Sequence, residues 1–100
     1  MDPDLSDLTI ADLVVSIAGR DAGALFYVVG SDEVFVYLAN GKDRSIEKPK
    51  KKKRKHARNV LRSETRVAEK LRSGDKVLNS ELRRDLAYFS REMQSNNLGG

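Results

Sequence analysis

The residues that could do chemistry are concentrated in EKPKKKKRKHARN, Glu47 to Asn59, where Pro49 precedes six consecutive cations and the only histidine of the chain. His56 has no base partner or nucleophile near it in sequence. It therefore reads as an exposed or nucleic-acid-facing imidazole. The acids are scattered over the N-terminal lead-in and the turns, without a calcium loop of the Asp-x-Asp type or a His/Glu metal pattern. GRDAG (Gly19–Gly23) lacks the lysine and hydroxyl that end a P-loop. With no cysteine there is no thiolate chemistry and no disulfide framework. The expectation is a protein that is not an enzyme, with no catalytic residues, metal or cofactor and no small-molecule substrate.

What remains is charge. The formal net charge is +4, and its distribution is uneven. Residues 1–41 carry one cation against seven acids, residues 42–72 fourteen cations against four acids, and residues 73–100 four of each. The middle third thus holds the whole surplus, and a polyanionic partner would be bound there. Lysine predominates, which suits point contact with phosphates better than bidentate reading of base edges. If about six cations engage, log K should fall against log salt with a slope near −4 for single strands and −5 for a duplex. The run is also compatible with a solvated linker or a nuclear import peptide, and nothing else in the chain argues for the second.

The elements that must hold these residues are short. At 100 residues the chain has room for one small domain. VVSIA, LFYVV and VFVYLA are valine- and aromatic-rich runs separated by GRDAGA, GSDE and NG, a pattern that predicts an antiparallel meander. Asn40-Gly41 predicts a two-residue type I′ turn joining strand 34–39 to strand 42–46, with Ala39 facing Lys42, Tyr37 facing Arg44 and Phe35 facing Ile46. Several strands carry apolar residues on both faces, so the second face needs cover from the C-terminal segments. Pro49 should end the last clear strand. Residues 58–72 could be helical, with Ser73-Gly74 as the stop, although 57–61 could equally form a fifth strand. Asn79 or Ser80 should cap a final helix bearing Leu82, Leu86, Phe89 and Met93, and 96–100 should fray.

Two glycines four apart, Gly19 and Gly23, permit a tight loop whose N–H groups could approach a phosphate, though an ordinary strand connection is the favoured local reading. The stretch VVSIAGRDAGALFYVV resembles a KOW motif, with Gly23 as its characteristic glycine. The likeness continues through NGKDRSIEKPKKKKRKH and SGDKVLNSELRRDL, and the whole is similar to small bacterial KOW-domain RNA-binding proteins, relatives of the KOW-containing large-subunit ribosomal proteins of archaea and eukaryotes. That resemblance implies a mainly β fold with appended α: a small SH3-like barrel followed by one or two C-terminal helices. It marks Gly19, Arg20 and Gly23 in the loop and Lys42, Arg44 and Lys48 leading into the run. Asp21 departs from the lysine common in such loops, which weakens direct phosphate contact there.

The expected organisation is an acidic extension over 1–11, a barrel over 12–61 that includes the basic segment 48–58, a helical segment over 62–95 and a flexible tail over 96–100. RNA binding is assigned to Gly19, Arg20, Gly23, Lys42, Arg44, Lys48, Lys50, Lys51, Lys52, Lys53, Arg54, Lys55, His56 and Arg58, with Tyr27, Tyr37, Arg44 and His56 as candidates to stack on bases, although burial in the barrel or beneath the helices is the favoured reading for both tyrosines. The implied partner is ribosomal or another structured RNA, in translation or ribosome assembly. The alternative is a protein-interaction adaptor using the barrel and the last helix. MDPDLSDL is acidic where a secretory signal would be basic, and no apolar run approaches ~18 residues, so a cytoplasmic protein, monomeric when free, is expected.

Overall fold

The computed structural model describes residues 8–99. Five strands form one antiparallel sheet: β1 (Asp12–Ser16), β2 (Leu25–Ser31), β3 (Phe35–Ala39), β4 (Lys50–Lys53) and β5 (Ala57–Arg62), in the order β4-β3-β2-β1-β5. A single 3₁₀ turn, Arg54–His56, joins β4 to β5. Two helices follow, α1 (Arg66–Ser73) and α2 (Asn79–Gly99). The protein is thus mainly β with appended helices. Among the described residues no helix is long and apolar enough to cross a membrane.

The sheet buries both faces, as the doubly apolar strands require. Leu13, Tyr27 and Ala39 face Val67, Ala68, Val77, Leu82 and Leu86, so α1 and α2 cover this side, with Phe89 packed at its margin. Val14, Phe26, Val28, Val36 and Leu38 form a second cluster on the other face with Leu8 and Ala57, and it contains no helical residue. Register explains the division, because paired residues share a face: Val14 opposes Phe26, and Val28 opposes Leu38, whereas Leu13 opposes Tyr27. Leu8 and Ala11, at the end of the expected acidic extension, are buried in these two clusters. Residues 1–7 lie outside the described residues.

The second cluster stays dry because the sheet curls around it. In a flat sheet β4 and β1, three places apart, would lie about 14 Å from one another. Yet the ammonium of Lys52 on β4 donates to the Ser16 hydroxyl at the end of β1, 2.8 Å away. The strands therefore bend until one edge approaches the other, without a β4–β5 ladder that would close the sheet.

Two expectations are corrected and one open alternative is decided. Residues 42–46 form no strand, and the partner of β3 is the lysine run itself, with Phe35 opposite Lys53 and Tyr37 opposite Lys51. Gly41 has φ +76°, as the Asn-Gly pair suggested, but Asn40 has no positive φ, so the turn is not type I′. Instead the Asn40 side chain accepts from Lys42 N and Arg44 N, opening a longer loop that runs to Pro49. Pro49 accordingly precedes a strand rather than ending one.

Of the two alternatives open for 57–61 the strand is the one formed: Ala57–Arg62 is the fifth strand, and within 58–72 the helix is confined to Arg66 onward, as Arg66–Ser73. Thr65 caps that helix by accepting from Ala68 N, and Gly74 ends it at φ +77°, as the Ser-Gly pair predicted. The second correction concerns the start of α2. Asn79 is already helical, and its side chain accepts from Ile46 N and donates to Glu47, while Glu81 accepts from Leu78 N. Helical backbone continues through 96–99, and Gly100 lies outside the described residues.

The helices fix the long β3–β4 loop. A Cβ on Gly41 would sit 2.2 Å from the Asn79 carbonyl oxygen, and Arg83 donates to Gly41 O. Tyr27 anchors the same layer from below, sharing its hydroxyl among Ser63, Thr65 and Asp85. Burial, with the Asp85 carboxylate beside it, pushes that phenol up to about 12. Tyr27 is fully buried, the favoured of the two readings for it, and is unavailable to stack on a base.

Candidate nucleic-acid interface

The β1–β2 loop and the β3–β4 loop emerge at the same end of the sheet, because Leu13 pairs with Tyr27 and Tyr27 with Ala39. Gly19 at φ +86° and Gly23 at φ +91° both use the left-handed region, one more than an ordinary connection was expected to need. Gly23 N donates to Ser16 O and Ala22 N to Gly19 O, so the loop is closed on itself. The amides of Ala22, Gly23 and Ala24 are thereby taken up within the loop and its flanks. Arg20 projects from it and is exposed.

The lysine run divides by strand alternation. Lys50 and Lys52 oppose Leu38 and Val36, so they share the face of the second apolar cluster. Lys52 is buried, and its ammonium donates to Ser16 Oγ, Ala18 O and Asp21 Oδ1, all within 2.8 Å. Lys50 meets Asp21 Oδ2 at 2.8 Å. Burial alone would raise the Asp21 carboxyl, but hydrogen bonds from Lys50, Lys52 and Ser16 outweigh it and hold the group well below the usual carboxylate range.

Asp21 is therefore an internal counter-charge. It ties the loop to β4. Lys52 is committed to that contact and is corrected out of the set of cations that can meet a phosphate.

Lys51 and Lys53 point the other way and are exposed beside Tyr37 and Phe35. The Lys51 ammonium lies 4.2 Å from the Phe35 ring centroid, a cation–π contact that leaves most of its donors to solvent. Tyr37 is half-buried against Gly30 and donates its hydroxyl to Asp32, whose carboxylate also accepts from Val34 N and Phe35 N. Those backbone bonds hold Asp32 below the usual carboxylate range, and its nearness raises the Tyr37 phenol.

Arg54 is spent in part on the fold, donating to Asp32 O and Leu8 O. Lys55 and Arg58 are exposed, and His56 is half-buried in the 3₁₀ turn, its carbonyl accepting from Ile17 N. Lys42, Arg44 and Lys48 are exposed along the β3–β4 loop. The geometry thus brings Arg20, Arg44 and Lys50 to one depression between the two loops, floored by Ala24 and Phe26 and walled by Asn40 and Asp43. It sets Lys53, Arg54 and Lys55 around a separate one with Glu33 and Val34.

Sequence reasoning missed Asn40 and Asp43 as site residues. The NGKD stretch was read for its turn, while its polar side chains carried a weaker signal. Among the described residues Arg20 and Arg44 form no ion pair, so their charge faces solvent. Such a surface can hold phosphates at the loops and along the outer side of β4, with Phe35 and Tyr37 as partly open aromatic faces. No protein-family model matches the chain, and no curated protein matches its sequence.

Proposed function

We propose that this chain is a KOW-type RNA-binding protein without catalytic activity, built on a small SH3-like barrel and acting on ribosomal or another structured RNA in translation or ribosome assembly. One observation carries the reading: the KOW-like loop, the NGKDR loop and the start of the lysine run meet at one depression, placing Arg20, Arg44 and Lys50 together. Two loops more than twenty residues apart in sequence supply Arg20 and Arg44 to one place, as a phosphate-tracking surface requires, while Lys50 beside them is paired with Asp21. The curled five-strand order and the 3₁₀ turn between β4 and β5 support the SH3-like part of the proposal.

The test is binding to a structured ribosomal RNA fragment across a salt series, comparing the wild type with a K51Q/K53Q/K55Q variant that spares the buried Lys52. The wild type should lose affinity steeply as salt rises, and the variant's slope should be shallower by about two, at roughly 0.7 per lost contact. A flat salt response in the wild type, or equal slopes, would sink the proposal.

A second reading has its own observation. An open apolar groove of about 940 Å³ runs between the sheet and α2, lined by Val15, Leu25, Val60, Leu86 and Met93, with Lys42 and Arg83 on its margin. In that adaptor reading an acidic amphipathic segment of a translation or transcription protein lies in the groove. The Met93→Asp variant, at a half-buried position of the groove lining, would then lose the partner while keeping RNA affinity.

A further inference from the structure

The depression between the two loops is more than a patch of cations. It encloses about 470 Å³, within the range of small-molecule sites, and is large enough for one nucleobase. Its floor is apolar, from Ala24 and the 98% buried Phe26, while its rim carries the exposed guanidinium groups of Arg20 and Arg44. A surface that only tracked phosphates would need neither a floor nor hydrogen-bonding walls.

The walls are two polar side chains of defined character. Asn40 Oδ1 accepts from Lys42 N at 2.9 Å and Arg44 N at 3.0 Å, which fixes the amide orientation and leaves Nδ2 without a partner among the described residues. Nδ2 can donate only. Asp43 is exposed and has neither an ion pair nor a hydrogen bond among the described residues, and its carboxylate can only accept. The other carboxylate of the depression, Asp21, is occupied by Lys50 and Lys52 and offers no such edge.

We infer that this depression takes up one unpaired guanine base of a bound RNA strand. The inference rests on the RNA reading above. Guanine presents a carbonyl acceptor, O6, beside two adjacent donors, N1–H and the N2 amino group. Asn40 Nδ2 matches the acceptor and the Asp43 carboxylate matches the paired donors. Adenine sets a ring-nitrogen lone pair next to its amino group, cytosine does the same, and uracil flanks its single N–H with two carbonyls, so each turns a lone pair toward the carboxylate. Arg20 and Arg44 then hold the flanking phosphates, and the base is shielded on Ala24 and Phe26. Lysine contacts along β4 supply affinity, and this depression supplies the base preference that they cannot.

Fluorescence anisotropy tests it with U-tract decamers carrying one central guanine, inosine, adenine or cytosine. Inosine keeps O6 and N1–H but lacks the N2 amino group. The wild type should bind the guanine decamer about tenfold more tightly than the adenine, cytosine or plain U-tract, within the 1–3 kcal/mol of a bidentate base contact, with inosine between. D43A should bring guanine and inosine within twofold of each other. N40D, which keeps the acceptor for Lys42 N and Arg44 N but removes the donor, should also erase the guanine preference.

Equal wild-type affinities for all decamers overturn the base pocket while leaving RNA binding in place. A guanine preference that survives in both variants overturns it too. No binding of the wild type to any decamer or to structured RNA overturns the RNA reading and the pocket together.

Discussion

Lys50 and Lys52 differ from Lys51 and Lys53 in nothing but position, and they do opposite things. The first pair turns toward the apolar cluster and the Asp21 carboxylate, and the second turns outward beside Tyr37 and Phe35. Composition assigns one role to the whole run. The two-residue period of a strand assigns two, because successive side chains leave opposite faces of the sheet. The inward lysines then hold the β1–β2 loop against β4, while the outward ones remain available to a polyanion.

The largest effect that would test this contrast comes from Asp21. The Asp21→Ala variant leaves the Lys52 ammonium buried without its counter-charge, and removal of one partner from a buried pair costs about 3–5 kcal/mol. Chemical denaturation should show a loss of that size. A loss under about 1 kcal/mol would mean that Lys52 escapes to solvent and that the inward pair is no different from the outward one.

Lys52→Met should be milder, within about 1.5 kcal/mol, because an unbranched apolar chain replaces the buried stem and Asp21 keeps Lys50. It should cost less than Asp21→Ala in the same denaturation series. The reverse order would break the assignment of Asp21 as the element's counter-charge.

Acid offers the same perturbation without mutation. The Asp21 carboxyl is held below its ordinary value, so the stability it contributes is fully present above about pH 4 and is lost as pH falls below that. Equilibrium unfolding measured from pH 6 to pH 2 should show this decline, and Asp21→Asn should flatten it. An unchanged acid slope in the variant would locate the loss elsewhere.

The smallest stability effect belongs to the outward pair. K51Q/K53Q should stay within about 0.5 kcal/mol of the wild type in the same experiment, since both residues are exposed and Lys51 gives up only a surface cation–π contact. The sharper readout is nucleic-acid affinity, which should fall in this variant and hold in Lys52→Met.

Much of the layout was legible in the sequence because its signals are local. VVSIA, LFYVV and VFVYLA mark three strands, the apolar residues on both faces imply a covered sheet, Gly74 stops α1, and Leu82, Leu86 and Phe89 face inward at helical spacing. The lysine run was not legible as a strand. Four consecutive lysines have low β propensity, and only pairing with Phe35–Leu38 makes them one. Asn40-Gly41 misled for a related reason. Its short-hairpin preference is intrinsic, but the chain gains more by packing Gly41 against the start of α2, a contact contributed by residues about forty positions away.

The sequence by itself determined that charge is concentrated in one third of the chain, that the strands need cover on both sides, and which loops carry glycine. These follow from composition and from periods of a few residues. Which lysines are spent and which are available, and that Asn40, Asp43, Arg20 and Arg44 share one depression, was decided only by tertiary structure. Such facts depend on register and on the curl that brings β4 to the end of β1, and both are set by contacts between distant segments.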